Sequence, residues 1–207
     1  MPIGIDELNT NQLDVLREIG NIGAGNAVTA LAKMLNKRVD MAVPKIKILN
    51  FKDIPDILGN SEALIAGILL GVTGDLKGNI LFVLDLASAH VLVNILMGRQ
   101  DLSQESEFNE IEVSALKEMG NILAGSYLSA LSMLTNLNIL PSVPDLCVDM
   151  AGAILSVPAI GFGSVGETVL YIETQFTDGA EKVAGEFFLI PDVDSYDILL
   201  KALGVIG

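Results

Sequence analysis

One stretch of this chain occurs twice. Leu16–Gly25 (LREIGNIGAG) returns as Leu116–Gly125 (LKEMGNILAG), shifted by 100 residues, with seven of the ten positions identical. The similarity spreads outward: Asn11–Asn36 and Ile111–Asn136 share ten of 26 positions. Farther on the offset drifts to 106, where Phe82-Val83-Leu84 is matched by Phe188-Leu189-Ile190. A duplicated segment constrains the fold strongly, because each half must carry the same elements in the same order.

Hydrophobic periodicity supplies that order. In the first half it predicts a long amphipathic helix from about Glu7 to Asn36 and a strand near Met41–Leu49. A hairpin follows, Ala63–Thr73 and Asn79–Leu84, turned around Gly74–Gly78. A helix over Ala87–Met97 then stops at Gly98, a residue suited to a left-handed cap. The second half repeats this with a helix near Glu110–Asn136, strands near Asp145–Leu155, Thr168–Phe176 and Val183–Ile190, and a helix over Asp194–Leu203. The Gly-rich Ser156–Gly166 reads as a loop. The expected fold class is α/β of the α+β kind: two pseudo-symmetric α-β-β-β-α halves sharing one mostly antiparallel sheet, with the long helices packed on it. Neither half carries enough to cover its own strands. A single domain over 1–207 is therefore expected, with halves at about 1–104 and 105–207.

On a helical wheel, Leu13, Leu16, Gly20, Ala24, Ala27, Leu31 and Met34 share one face, the expected buried stripe. Asp14, Glu18, Asn21 and Gly25 fall on the opposite face, with Ile22 at its border. Ser114, Glu118, Asn121, Gly125 and Ile122 stand in the same relation on the second helix. A carboxylate and a carboxamide one turn apart usually mean only a solvated face. Gly25 and Gly125 weigh against that reading. Glycine inside a helix costs about 1 kcal/mol relative to alanine, and neither lies on the buried stripe. Close approach by a partner would account for them.

Composition narrows the classes. The net charge of −14 disfavours phosphate-backbone partners, so no nucleic acid is expected. A mean hydropathy of +0.54 raises the question of a membrane. The longest uncharged run, Met119–Pro144, contains Asn121, Ser126, Ser129, Ser132, Thr135, Asn136 and Asn138, so no membrane insertion is expected. One cysteine, Cys147, allows no internal disulfide and reads as a buried structural thiol. The N-terminus shows no basic, apolar and cleavage-site series, and a cytoplasmic location is expected. With His90 as the only histidine, neither a Ser-His triad nor a His-rich metal site can be assembled. Gly20–Gly25 lacks the strand-loop-helix setting and the Gly-x-Gly-x-x-Gly order of a dinucleotide loop. Asp75 reads as a turn residue.

The spacing Asp/Ser-x3-Glu-x2-Asn-x22-Pro is met twice, by Asp14, Glu18, Asn21 and Pro44 and by Ser114, Glu118, Asn121 and Pro144. It resembles the signature of the CheC/CheX/FliY family of phosphatases from bacterial and archaeal chemotaxis. Two motifs in one chain fit the two-motif branch better than the shorter, dimeric, one-motif branch. The resemblance implies hydrolysis of the aspartyl phosphate of the response regulator CheY, with Glu18, Asn21, Glu118 and Asn121 as catalytic residues. Asn would position the attacking water, and Glu would pair with a lysine of CheY and fix the docked geometry. Asp14, Ile22, Gly25, Ser114, Ile122 and Gly125 would form the docking face. The family also implies a second partner, the receptor deamidase CheD, met at Asp149 and Met150. No cofactor of its own is expected, Mg²⁺ coming with CheY, and the chain is expected to be a monomer or a heterodimer with CheD. The competing expectation is a non-catalytic CheD-binding adaptor or flagellar switch component. Such a protein would be expected to lose Glu or Asn from a motif, and here neither is lost.

Overall fold

A computed structural model describes residues 10–36, 38, 40–42, 45–99, 107–161, 168–177 and 182–204. The element order is α1 (Thr10–Leu35), β1 (Asp40–Met41), β2 (Lys45–Asn50), a 3-10 turn (Phe51–Asp53), α2 (Ile54–Ile57), β3 (Leu64–Gly74), β4 (Gly78–Asp85) and α3 (Leu86–Met97). It continues with α4 (Glu110–Thr135), β5 (Ile139–Pro141), β6 (Asp145–Met150), α5 (Ala151–Gly161), β7 (Thr168–Thr177), β8 (Lys182–Pro191) and α6 (Val193–Ala202). The eight described strands form one sheet in the order β1-β7-β8-β4-β3-β5, with β2 also on β7 and β6 also on β3. Every described pairing is antiparallel. The central ladder joins β4 to β8, with Phe82 opposite Phe187. The flanking strands are exchanged, since β2 pairs with β7 and β6 with β3.

The centre of the sheet is buried on both faces, which explains why β4 reads as the unbroken apolar run Ile80–Leu84. Ile80, Phe82 and Leu84 face the main core, with Ile19, Ala27 and Leu31 of α1, Leu116, Leu123 and Leu128 of α4, Leu92 of α3 and Leu199 of α6. Leu81 and Val83 face a smaller core formed with Ile54, Ala151, Ile154 and Leu155. This second core corrects the expected strand at Asp145–Leu155, which ends at Met150; the next residues form α5. A continuous apolar run such as Ala151–Leu155 has no period that separates strand from buried helix. The helix also takes in Ser156–Gly161 of the expected loop, and 162–167 lie outside the described residues. Each half therefore adds a short helix, α2 or α5, between its second and third strands.

Local chemistry sets the ends. Asp85 caps α3 by accepting from the Ser88 N–H at 2.8 Å, and Gly98 closes it with φ 64°. Asn109 caps α4 in a reciprocal box with Glu112. The β3–β4 turn is tied to the end of α4: the Asp75 N–H donates to the Asn138 carbonyl at 2.8 Å, and the Asn138 N–H donates to the Asp75 carboxylate at 2.7 Å. A Cβ at Gly74, where φ is +108°, would lie 2.1 Å from that carbonyl, so the turn requires glycine.

Candidate active site

The two long helices pack against each other on the main-core face of the sheet. Their seam explains the small residues. Gly20, Ala24, Ala27 and Leu31 are buried. A Cβ on Gly23 would come within 2.3 Å of the Tyr127 ring, and one on Gly120 within 2.6 Å of Ile68. Tyr127 fills the space opposite Gly23 and places its hydroxyl 3.2 Å from that of Thr174 on β7. The repeat thus swaps sizes: Gly23 and Ala27 in α1 become Leu123 and Tyr127 in α4. Met34 departs from the expected stripe, being 39% exposed, because it lies in the last turn of α1, beyond the buried seam. The side chains of Leu13 and Leu16 lie outside the described residues.

The opposite face is polar and open. Asp14, Glu18, Asn21 and Gly25 are exposed and Ile22 is half-buried. On α4, Ser114 and Glu118 are exposed, while Asn121, Ile122 and Gly125 are half-buried. A Cβ on Gly25 or Gly125 would meet nothing within 4 Å, so neither glycine serves packing. Within the described residues, no side chain hydrogen-bonds or ion-pairs with Glu18, Asn21, Glu118 or Asn121. Nor, among those residues, do three or more His, Cys, Asp or Glu converge to hold a metal ion.

At the second motif an open cleft of about 520 Å³ runs beside α4, lined by Ser114, Lys117, Glu118, Asn121 and the segment Pro141–Asp145. That segment interrupts the edge of the sheet between β5 and β6. Ser142 holds it there by exchanging two 2.8 Å hydrogen bonds with Gly71, one through its N–H and one through its hydroxyl. Pro144 is buried, and Val143 projects at 86% exposure. The spacing from Asn121 to Pro144 thereby sets the opposite wall of the cleft. Pro44 lies outside the described residues.

The motifs differ electrostatically. Arg17 pairs with Asp14 at 3.0 Å along its own helix. Ser114 offers Lys117 no such partner, and Lys117 reaches Asp145 across the cleft at 3.2 Å. The place of Asp145 is taken in the first half by Lys45, which would repel Arg17 and instead pairs with Glu173 at 3.1 Å. These pairs are largely exposed and contribute little stability. Their effect is to fix which charges border each motif. Lys117, Asp145 and Ser142 were missed in the sequence reading; comparing the halves at positions 17, 45, 117 and 145 would have exposed the charge exchange.

The remaining sites are simple to place. Asp149 and Met150 are exposed at the end of edge strand β6. Cys147 is exposed on the same strand, correcting the expectation of a buried thiol, because β6 carries no covering layer over that side chain. His90 stacks on Phe108 at 4.4 Å as a boundary residue.

The carboxylate and carboxamide pairs thus lie on accessible helix faces, at the second motif beside an open cleft, rather than inside an enclosed cavity. The CheC-like family model matches residues 12–48 and 111–148, the segments that carry the two motifs. The chain is 39% identical over 200 residues to the CheY-P phosphatase CheC of Bacillus subtilis, covering 95% of this chain and 96% of that one. It is 29% identical over 128 residues to the flagellar motor switch phosphatase FliY of the same organism, covering 62% of this chain and 33% of that one. In fold it superposes on Thermotoga maritima FliY with a TM-score of 0.71, covering 99% of each chain at 24% identity. This chain belongs to the CheC-like family.

Proposed function

We propose that this protein hydrolyses the aspartyl phosphate of a phosphorylated CheY-type response regulator. The observation that carries the reading is a Glu and an Asn one turn apart on both long helices, without a side-chain partner among the described residues, each pair beside a glycine that opens on empty space. The relative named as a CheY-P phosphatase supports the choice of substrate.

An acyl phosphate is already activated, so catalysis consists largely of placing water in line and holding the docked geometry. The carboxamide of Asn21 or Asn121 orients a water while bringing no charge toward the phosphoryl oxygens. The water oxygen bonds to phosphorus, the bond from phosphorus to the aspartyl oxygen breaks, and inorganic phosphate and a free aspartate leave. Glu18 or Glu118 pairs with a lysine of the regulator and fixes the approach. Mg²⁺ belongs to the regulator's own site. Gly25 and Gly125 admit the regulator's surface, while Ile22 and Ile122 give it apolar contact, with Asp14 and Ser114 at the helix's leading edge.

We further infer that the edge of β6 at Asp149 and Met150 receives CheD, as a cytoplasmic monomer–partner complex. An exposed strand edge with Met150 46% exposed is suited to a protein partner. The deciding measurement is the lifetime of phosphorylated CheY with wild-type protein and with Asn21→Ala/Asn121→Ala. The double variant should lose roughly a hundredfold or more in rate, in line with loss of a positioned water. Phosphate decay at the wild-type rate would refute the Asn assignment. A wild-type chain that binds CheY without shortening its phosphate lifetime would favour the adaptor reading.

A further inference from the structure

A second open cleft of about 520 Å³ adjoins the first, with Ser114 and Glu118 lining both. It lies between the last turns of α1 and α3 and the first turns of α4, and its lining includes Met34, Leu96, Glu110 and Ile111. Ile111 is 65% exposed at the rim of this cleft, on a framework that is held firmly. Asn109 caps the turn that carries Ile111, with its side chain accepting from the Ile111 and Glu112 N–H groups at 3.0 and 3.1 Å. Glu112 ion-pairs with Arg99, just past the cap of α3, and so joins the two helix ends that flank the cleft. The groove is therefore preformed, and filling it costs little ordering entropy.

The residues that line this groove differ at the first motif. At the positions of Glu110, Ile111 and Ser114, α1 carries Thr10, Asn11 and Asp14, and at the position of Leu35, α4 carries Thr135. The polar residues at these positions give the first motif no matching set of apolar anchors at the positions compared.

We propose that this groove anchors an apolar side chain of the phosphorylated receiver domain, flanked by a basic residue, and makes the second motif the tighter of the two docking sites. The proposal rests on the phosphatase reading. Glu118 is the shared wall, so a receiver domain that brings its phosphoryl group to Asn121 also covers the groove one turn away. Covering Ile111 and Met34 removes apolar surface from water. Glu110 and Glu118 supply two carboxylates at the rim with no cation among the lining residues, which selects a basic flank on the partner.

The test isolates the second motif by placing Ile111→Asn, the residue that α1 carries at that position, in an Asn21→Ala background. KM for phosphorylated CheY should rise roughly tenfold, the scale expected for losing one well-filled apolar contact, with kcat and melting temperature unchanged. Met34→Ser in the same background should act in the same direction. In an Asn121→Ala background, where only the first motif works, Ile111→Asn should leave KM unchanged. An unchanged KM in the Asn21→Ala background, or equal effects in both backgrounds, overturns the groove. A wild-type chain that leaves the lifetime of phosphorylated CheY unchanged instead removes the phosphatase reading itself, so the two failures are distinguishable.

Discussion

Replacing Gly25 and Gly125 by alanine should make the protein more stable and less active. Both glycines sit well inside helices of 26 residues, where glycine costs about 0.8–1.0 kcal/mol relative to alanine. An added Cβ at either position meets no atom within 4 Å, so no steric term offsets the gain. The double variant should gain roughly 2 kcal/mol, which for a chain of this length raises Tm by about 4–8 °C. Gly23→Ala and Gly120→Ala provide the contrast. Their Cβ atoms would fall 2.3 Å from Tyr127 and 2.6 Å from Ile68, so each should lose about 1–3 kcal/mol. Calorimetry and the decay of phosphorylated CheY, measured on the same preparations, separate packing from docking. The expected result for Gly25→Ala/Gly125→Ala is a higher Tm with a raised KM, and Leu at both positions should raise KM further. A lower Tm would show that these glycines pack after all. A higher Tm with unchanged KM would show that nothing docks on them.

Two other perturbations have definite signs. Glu186 lies across from Glu173 on the sheet, and its pKa is pushed up to about 7 by burial, then by Asp85 and Glu173. Its stabilising contribution is present in full below its ordinary value of 4.5 and lost as pH rises through 7. Glu186→Gln should therefore stabilise the protein by about 1–3 kcal/mol at pH 8, with the difference closing below pH 4.5; equal stabilities at pH 8 would remove the effect. Cys147, exposed on β6, should react with a thiol reagent at the rate of an unfolded control, and bound CheD should slow it if the β6 edge is the docking strand.

What could be read from sequence depended on whether a residue's setting is local. The wheel placed Glu18, Asn21, Glu118 and Asn121 outward, because helix faces follow from spacing alone. The hairpin at Gly74–Gly78 was equally legible, since its turn chemistry lies within five residues. The helix α5 was not, because only the second core beneath Ile154 and Leu155 distinguishes it from a strand. Cys147 was misread for a related reason: its burial depends on whether another layer covers β6, which no local pattern encodes. Arg99, Glu112 and the groove they hold open join segments whose meeting is set by tertiary packing alone.

The exchange of edge strands explains why the second motif depends on both halves. Its cleft is walled by Pro141–Asp145, yet that segment is held by Gly71 of the first half, and β6 pairs along its length with β3. The helix α4 in turn rests on β3, β5 and β6, while α1 rests on β1 and β2. Duplication alone would have given two copies of one site, each self-contained. Strand exchange makes the second site a joint product, so changes in one half alter the site carried by the other. That coupling is the setting in which Asp14 could diverge from Ser114 and Lys45 from Asp145 without loss of fold, since the charges border the motif faces while the buried seam of Gly23 with Tyr127 keeps the two helices in contact. The repeat therefore preserves the reactive pair on each helix while leaving the surroundings free to set how strongly each pair engages a partner.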